Sequence, residues 1–279
     1  MCYRMIRPLF GETSRAFFDA LTRFRQRLAD GEVLLGPAVH FTDPQASDAL
    51  AENSDFIWYD IEHHAMSIEA LRNHLMVARN RGIPGIVRVS VSDTEFYKTI
   101  LDVGASGVVV PQVYSAEETR RVVDACRYPT QGARGFYPLI SMNYGRMDLN
   151  EHCRLANENV FVTIMVETAQ AVEEIEDILA IDGLDSVVLG LMDLSGSYGV
   201  LGQTTHPKVV EATDKVIAAA KAAGKPVGTG QDANADVVCD LIRRGVQWVQ
   251  TGSDVTNMVQ FYDDYLATVH GRLADFSRR

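Results

Sequence analysis

Eight short apolar runs alternate with longer amphipathic stretches along this chain. They are LLGPAV (34–39), FIWYDI (56–61), GIVRV (85–89), GVVVP (107–111), VFVTIMV (160–166), SVVLG (186–190), KPVGT (225–229) and QWVQT (247–251). Each is nearly continuous in apolar residues and rich in Val or Ile, the pattern of a strand covered on both faces. Between them the spacing becomes helical, with start and stop marks. Ser67 and Ser115 each precede acidic first-turn residues, and Ser115 with Glu118 has capping-box spacing. Pro44 and Pro207 stand where first turns begin, and Gly104, Gly224 and Gly245 fall between a helix end and the next strand. Strand–helix alternation repeated eight times predicts a (β/α)8 TIM barrel of the α/β class, one domain over residues 1–279 with an N-terminal helical extension. A doubly wound sheet is the structural competitor. The stretch 127–159 reads as an extended loop with a short helix over the top of the barrel.

After the last run, Met258, Phe261, Tyr262, Tyr265, Leu266 and Val269 make a wide apolar stripe on a helix. The stripe packs either on its own barrel or, exchanged, on a neighbouring subunit. Its aromatic content favours an interface and hence a homo-oligomer.

In a barrel of this kind, chemistry gathers at the C-terminal ends of the strands. There the sequence places His40 after the first run and Asp60, Glu62, His63 and His64 after the second. Arg88 lies in the third, Gln112 follows the fourth, Glu167 the fifth, Asp193 the sixth, Asp232 the seventh and Asp254 the eighth. The opposite ends begin with bland residues such as Gly85, Gly107 and Ser186. Glu167 or Asp193 alone would serve as well to charge the start of the following helix. As a pair on neighbouring strands, facing histidines and an arginine, they suit a hard cation with oxygen ligands, Mg2+ or Mn2+. His63, three residues after Asp60, is the histidine that Asp60 would orient as a general base. His64 reads as solvated, His40 as a supporting residue, and His74, His152, His206 and His270 as surface. Arg88 within an apolar strand needs an anion, from the protein or from a ligand, and the ligand is the favoured partner.

Composition narrows the picture. Hydrophobic residues at 47% and charged residues at 23% are ordinary globular values. The 26 Lys and Arg against 37 Asp and Glu give a net charge of −11, which disfavours nucleic acid and anionic membrane as partners. Cys2, Cys126, Cys153 and Cys239 show no metal-ligand spacing and read as free thiols in a reducing compartment. The opening MCYRMIRPLFGETSR has no apolar signal core, and no run approaches the length of a membrane helix, so a cytoplasmic protein is expected. None of the five lysines is placed for imine chemistry, and no G-x-S-x-G, GxGxxG after the first strand or Walker A motif occurs.

RLADGEVLLG (27–36), DFIWYDIEHH (55–64), VRVS (87–90), LDVGASGVVVPQV (101–113), RYPTQGARGF (127–136), VETAQAVEEIEDILAIDGLDSVVLG (166–190), MDLS (192–195) and TGSDV (251–255) together resemble the metal-dependent 2-oxo-acid aldolases of the HpcH/HpaI family. The likeness runs from about residue 16 to 270, leaving residues 1–15 outside it. It implies a barrel of the phosphoenolpyruvate/pyruvate type, usually a hexamer with an exchanged last helix. It places a divalent cation (Mg2+ or Mn2+, with Co2+ a further candidate) on Glu167 and Asp193. It also implies that His63, paired with Asp60, acts on a substrate hydroxyl and that Arg88 contacts the keto oxygen. Met165, Gly190, Leu191, Met192 and Asp193 would complete the substrate site with Arg88. The activity implied is class II cleavage or formation of a 4-hydroxy-2-oxo acid, giving pyruvate or a close 2-oxo acid plus an aldehyde. Oxaloacetate decarboxylation or macrophomate-synthase-like carbon–carbon bond formation is the alternative, with malyl-CoA-lyase-like chemistry weaker; a catalytically silent 2-oxo-acid binder is the non-enzymatic one. Four positions depart from the family pattern: Met165 where Gln is common, Leu191 where Gly-Pro is usual, Ile61 for the Gly of D-G-E-H, and His64 for Gly or Ala. The usually arginine-rich stretch after the RGF-like segment reads YPLISMNYG here.

Overall fold

All eight apolar runs form parallel strands, and these close in sequence order into one barrel, the first pairing with the last. The computed structural model describes residues 16–89 and 94–276; residues 1–15, 90–93 and 277–279 lie outside it. The order is α1 (Ala16–Ala29), β1 (Leu34–Val39), α2 (Gln45–Leu50), β2 (Ile57–Asp60), α3 (Ile68–Arg81), β3 (Gly85–Arg88), α4 (Thr94–Asp102), β4 (Gly107–Val110), α5 (Ala116–Cys126), α6 (Leu149–Asn159) and β5 (Phe161–Val166). It continues with α7 (Ala169–Glu173), α8 (Ile175–Leu179), β6 (Ser186–Leu189), α9 (Leu191–Ser197), α10 (Pro207–Ala222), β7 (Val227–Gln231), α11 (Ala235–Arg244), β8 (Trp248–Ser253) and α12 (Asp254–Phe276). This is the (β/α)8 architecture that the alternation predicts.

The local signals act as their chemistry requires. Ser67 accepts from Ala70 N (3.1 Å) and Ser115 from Glu118 N (3.2 Å), each satisfying an orphan donor of a first turn. Glu118 does not close the expected box on Ser115; its carboxylate reaches one residue further back, to Tyr114 N at 2.7 Å.

Two apolar layers result. Outward-facing strand residues pack beneath the helices, while Phe56, Trp58, Ile86, Phe161 and Trp248 fill the barrel interior. Leu21, Phe24 and Leu28 of α1, at i, i+3 and i+7, join that interior set. Phe24 meets Phe56 and Phe161 edge to face at 5.8 and 5.4 Å, near the strand starts. Helix α1 therefore plugs the N-terminal mouth, and only the C-terminal mouth is open.

The 127–159 segment lies at the plugged end, which corrects the expectation that it covers the top. A chain leaving the C-terminus of α5 to enter β5 must be at the strand starts. Arg127 anchors it there, donating to Val160 O and Gly183 O (2.9 Å each) and pairing with Asp185 at 3.2 Å. His152, expected at the surface, is instead buried among Phe18, Tyr128 and Phe136, and burial lowers its pKa to about 4. His74 is buried as well, its Nδ1 2.8 Å from Ser47 Oγ. His74 shares its helical face with Leu71, Leu75 and Ala78, and His152 packs among aromatic rings, so packing overrode their polarity.

Helix α12 does not fold back onto its own barrel. Its main contacts are with β1 and β8, where it begins, and Phe261 is 73% exposed along with Met258, Tyr262 and Tyr265. No helix among the described residues is long and apolar enough to cross a membrane.

Candidate active site

Strand register assembles the site. Asp60 pairs with Arg88 across β2–β3, and Val166 pairs with Leu189 across β5–β6. The first pairing sets a carboxylate beside a guanidinium at the open mouth. The second brings Glu167 and Gly190 side by side just beyond the strand ends.

Arg88 grips Asp60 with two bonds, Nε to Oδ1 at 3.0 Å and Nη2 to Oδ2 at 2.5 Å, and its Nε also lies 3.2 Å from Glu62 Oε2. The anion that Arg88 required is thus supplied by the protein, where a ligand carboxylate was the favoured expectation. A half-buried strand-end guanidinium finds its nearest carboxylate in register on the neighbouring strand before any ligand arrives. Burial alone would raise the Asp60 pKa, but Arg88, Glu62 N–H and His64 outweigh it and hold it at about 2.

The imidazole on Asp60 is that of His64, with Nδ1 2.8 Å from Oδ2. This corrects the expected Asp60–His63 pairing. The chain bends after β2 so that the residue four positions on returns to the carboxylate, whereas the His63 side chain is 60% exposed with Nε2 3.5 Å from Glu62. His64, expected to be solvated, stacks on His40 with ring centroids 3.5 Å apart and an interplanar angle of 16°. His40 is itself fixed from below, since Asp254 accepts from His40 N (3.0 Å) and Phe41 N (3.0 Å). Burial first, then the His64 ring, lowers the His40 pKa.

Glu167 is buried at the start of the β5–α7 connection and accepts from Gln112 N at 2.5 Å. Gln112 holds φ +53° to aim that N–H, a left-handed conformation costing a residue with a Cβ about 1 kcal/mol or more. Gly190 is dictated by Glu167: a Cβ there would lie 2.7 Å from Glu167 Cβ and 2.8 Å from its Oε2. Burial, and then repulsion from Asp193 and Glu62, push the Glu167 pKa up to about 7 despite the Gln112 bond and Arg88. Asp193 stands exposed in the first turn of α9.

Around this lies a cleft of about 320 Å³. Of the residues the sequence singled out, Asp60, His64, Arg88, Met165, Gly190, Leu191, Met192, Asp193, His40 and Asp232 line it. His63 does not, and Glu167 sits just behind Gly190. Trp58, Gln231, Gln250, Ser253, Thr204 and Thr256 also line it and were not anticipated. Trp58, Gln231, Gln250 and Ser253 fall within strand runs or at their ends, where inward alternation would have exposed them; Thr204 and Thr256 carried no signal.

The fit of the donor set to a cation follows from its own charges. Burial first, and then neighbouring carboxylates (Asp60 and Asp193 for Glu62, Asp193 and Glu62 for Glu167), raises both glutamates even though Arg88 opposes it. An all-oxygen cluster with surplus negative charge fits a hard divalent ion. His40, Asp60 and His64 form a second group, with ligand-type atoms within 4.8 Å of one another.

Residues 42–260 match the profile described as HpcH/HpaI aldolase/citrate lyase. A hydroxypyruvate/pyruvate aldolase of Roseovarius nubinhibens is 32% identical over 74% of this chain and 80% of its own length. A 4-hydroxy-2-oxovalerate aldolase of Rhodococcus jostii is 32% identical over 84% of this chain and 90% of its own. Among solved structures, an HpcH/HpaI aldolase from Desulfitobacterium hafniense superposes with a TM-score of 0.83 at 31% identity, covering 88% of this chain and 95% of that one.

Proposed function

The chain belongs to the HpcH/HpaI aldolase/citrate lyase family, whose aldolases are carbon–carbon lyases, and we propose that it cleaves and forms 4-hydroxy-2-oxo acids with a divalent cation held by Glu167 and Asp193. One observation carries this reading: Asp193 and an arginine-locked Asp60–His64 pair open into the same cleft, with Glu167 directly behind Gly190 of its wall.

Glu167 and Asp193 would hold Mg2+ or Mn2+, with Co2+ also compatible with oxygen donors. When bound, the cation supplies Lewis-acid polarisation of the 2-oxo acid's keto oxygen. The His40–Asp60–His64 group is the poorer cation site, because Arg88 already occupies both oxygens of Asp60. Arg88 keeps a face on the cleft and sets fixed positive charge where the enolate oxygen develops. Met165 and the Gly190–Asp193 turn wall the donor on the β5–β6 side.

Proton handling falls to His64. An ionised Asp60 can only accept, so His64 Nδ1 carries the proton and Nε2 is left basic for the C4 hydroxyl. The family motif aligns on His63, so the two histidines are separated by mutation. His64→Ala is expected to slow retro-aldol cleavage about 10²–10⁴-fold while leaving oxaloacetate decarboxylation, which needs no hydroxyl deprotonation, within about tenfold. His63→Ala should keep cleavage within about tenfold. The reverse order would return the role to His63. The parent reading is tested by metal-dependent deuterium exchange into pyruvate and by a screen of 4-hydroxy-2-oxo acids with coupled pyruvate detection. A protein that binds pyruvate without exchanging its methyl protons would be the silent binder, and this reading would fall.

The uncovered stripe of α12 supports a homo-oligomer, for which the hexamer is our reading. Removal of residues 256–279 is expected to shift the protein to a smaller species by light scattering and to lower its Tm, since burying each large apolar side chain contributes about 1.5–3 kcal/mol. A full-length monomer at micromolar concentration would refute it.

A further inference from the structure

His64 sits on the bend that follows β2, with its side chain 37% exposed and its Nδ1 2.8 Å from Asp60 Oδ2. Such a bond fixes one point of the ring and leaves its plane free to swing. A proton acceptor needs the plane fixed as well, because the lone pair of Nε2 lies in it. His40 supplies that second restraint. The β1–β2 register sets Ala38 beside Trp58 and Val39 beside Tyr59, so His40 follows level with Asp60. The His64 ring then meets the His40 ring face to face, with centroids 3.5 Å apart and planes 16° from parallel. Rings this close and this parallel cannot aim their in-plane lone pairs at one ion, so the stack holds a ring and does not clasp a metal.

The platform is itself anchored. Asp254 opens α12, and its carboxylate accepts from His40 N at 3.0 and 3.2 Å and from Phe41 N at 3.0 Å. His40 is half-buried and lines the cleft together with His64. Burial, and then the His64 ring, lower the His40 pKa, so its imidazole is neutral at neutral pH. A neutral aromatic face favours a ring that becomes cationic. In cleavage the C4 hydroxyl proton passes to His64 Nε2 as the C3–C4 bond breaks. C4 leaves as the aldehyde carbonyl, and the electron pair of the broken bond goes to the enolate of the 2-oxo acid. The imidazolium so formed keeps Asp60 at its edge and His40 on its face. Both contacts strengthen as that charge develops, so losing the stack should lower kcat more than it changes KM.

We infer that His40 is a positioning residue for cleavage: stacked from the end of β1, it fixes the plane of the His64 ring on Asp60 and stabilises the charge that His64 takes from the substrate hydroxyl; this rests on the aldolase reading and the His64 assignment above. The test uses the full chain with Mn2+ and reads two reactions. One is cleavage of 4-hydroxy-2-oxovalerate, the probe, by coupled pyruvate detection. The other is oxaloacetate decarboxylation, which needs no hydroxyl deprotonation. His40→Ala is expected to lower kcat for cleavage about tenfold, the scale of one lost aromatic contact. KM should stay within about twofold and decarboxylation within about threefold. His40→Phe puts back an aromatic face without a titratable ring and should recover most of the loss. In a His64→Ala background, His40→Ala should cost cleavage less than about twofold more, since the ring it positions is gone. Parental cleavage in His40→Ala, equal losses in both reactions, no recovery in His40→Phe, or a full tenfold loss added to that of His64→Ala each overturns the inference. His64→Ala cleaving as fast as the parent rejects the His64 assignment, and a parent that does not cleave the probe rejects the aldolase reading; the inference falls with either.

Discussion

Asp193→Asn is expected to lower kcat/KM by about 10³ or more, because Lewis-acid stabilisation of several kcal/mol is lost with the cation and about 1.4 kcal/mol is tenfold in rate. The Mn2+-dependent rise in Tm should disappear together with the activity. The effect is large because the site has few donors: Glu167 and Asp193 are the carboxylates at the ends of β5 and β6, and losing one halves the charge that draws the ion. The same electrostatics give metal binding a pH dependence. Glu167 sits at about 7 before a cation arrives, pushed up by burial and then by Asp193 and Glu62. Below that pH a cation must displace its proton, so apparent Mn2+ affinity should weaken roughly tenfold per unit as pH falls through the range below about 7. Above it the dependence should flatten. Calorimetric titration at several pH values reads both effects. A variant with parental metal affinity and turnover would show that the cation binds elsewhere.

Arg88→Met should cost both stability and catalysis. Removing one partner of a buried pair strands the other, at about 3–5 kcal/mol, and Asp60 is buried with both oxygens on this guanidinium. Asp60 is held at about 2 in the folded chain, below its unfolded value of about 3.9. Its stabilising contribution is therefore complete above about pH 4 and is lost as pH falls through about 2. In Arg88→Met, burial goes unopposed by the guanidinium, the Asp60 pKa rises, and the acid transition should move to higher pH. Denaturant unfolding across pH reads the shift. Cleavage should fall by at least about 10²-fold, because a fixed positive group at the developing oxyanion is removed. Arg88→Lys tests the geometry: a single ammonium cannot span both oxygens of Asp60, so partial rescue of stability with little rescue of activity is expected. Unchanged acid stability in Arg88→Met would mean that the bidentate pair carries none of the fold.

How much was legible follows the range of each signal. The eight strands, the Ser67 and Ser115 caps and the barrel topology were read from local periodicity, and each appears in the structure. The placement of Asp60, Arg88, Glu167 and Asp193 at one mouth followed from strand polarity alone. The stripe on α12 was equally visible, although whether it lay on its own barrel was not. The errors lie at a finer scale. Which of two adjacent histidines turns back to Asp60 depends on a three-residue bend, and no spacing rule separates positions i+3 and i+4 from a strand end. The end of the barrel that holds 127–159 is set by its place between the C-terminus of α5 and the start of β5, which the composition of the segment does not encode.

The sequence by itself determined the class of fold, the end of the barrel that carries chemistry and the residue types gathered there, because a strand's period and its C-terminal residue are properties of a few neighbouring positions. Tertiary structure alone decided the partners. Arg88 holds Asp60 because β2 and β3 align in that register, and His64 is fixed by stacking on His40, which follows the neighbouring strand β1. Glu167 is raised by burial first and then by Asp193 and Glu62, which come to it from other strand ends. Such pairings bring together side chains from different strands, and their energies exist only once the barrel has closed.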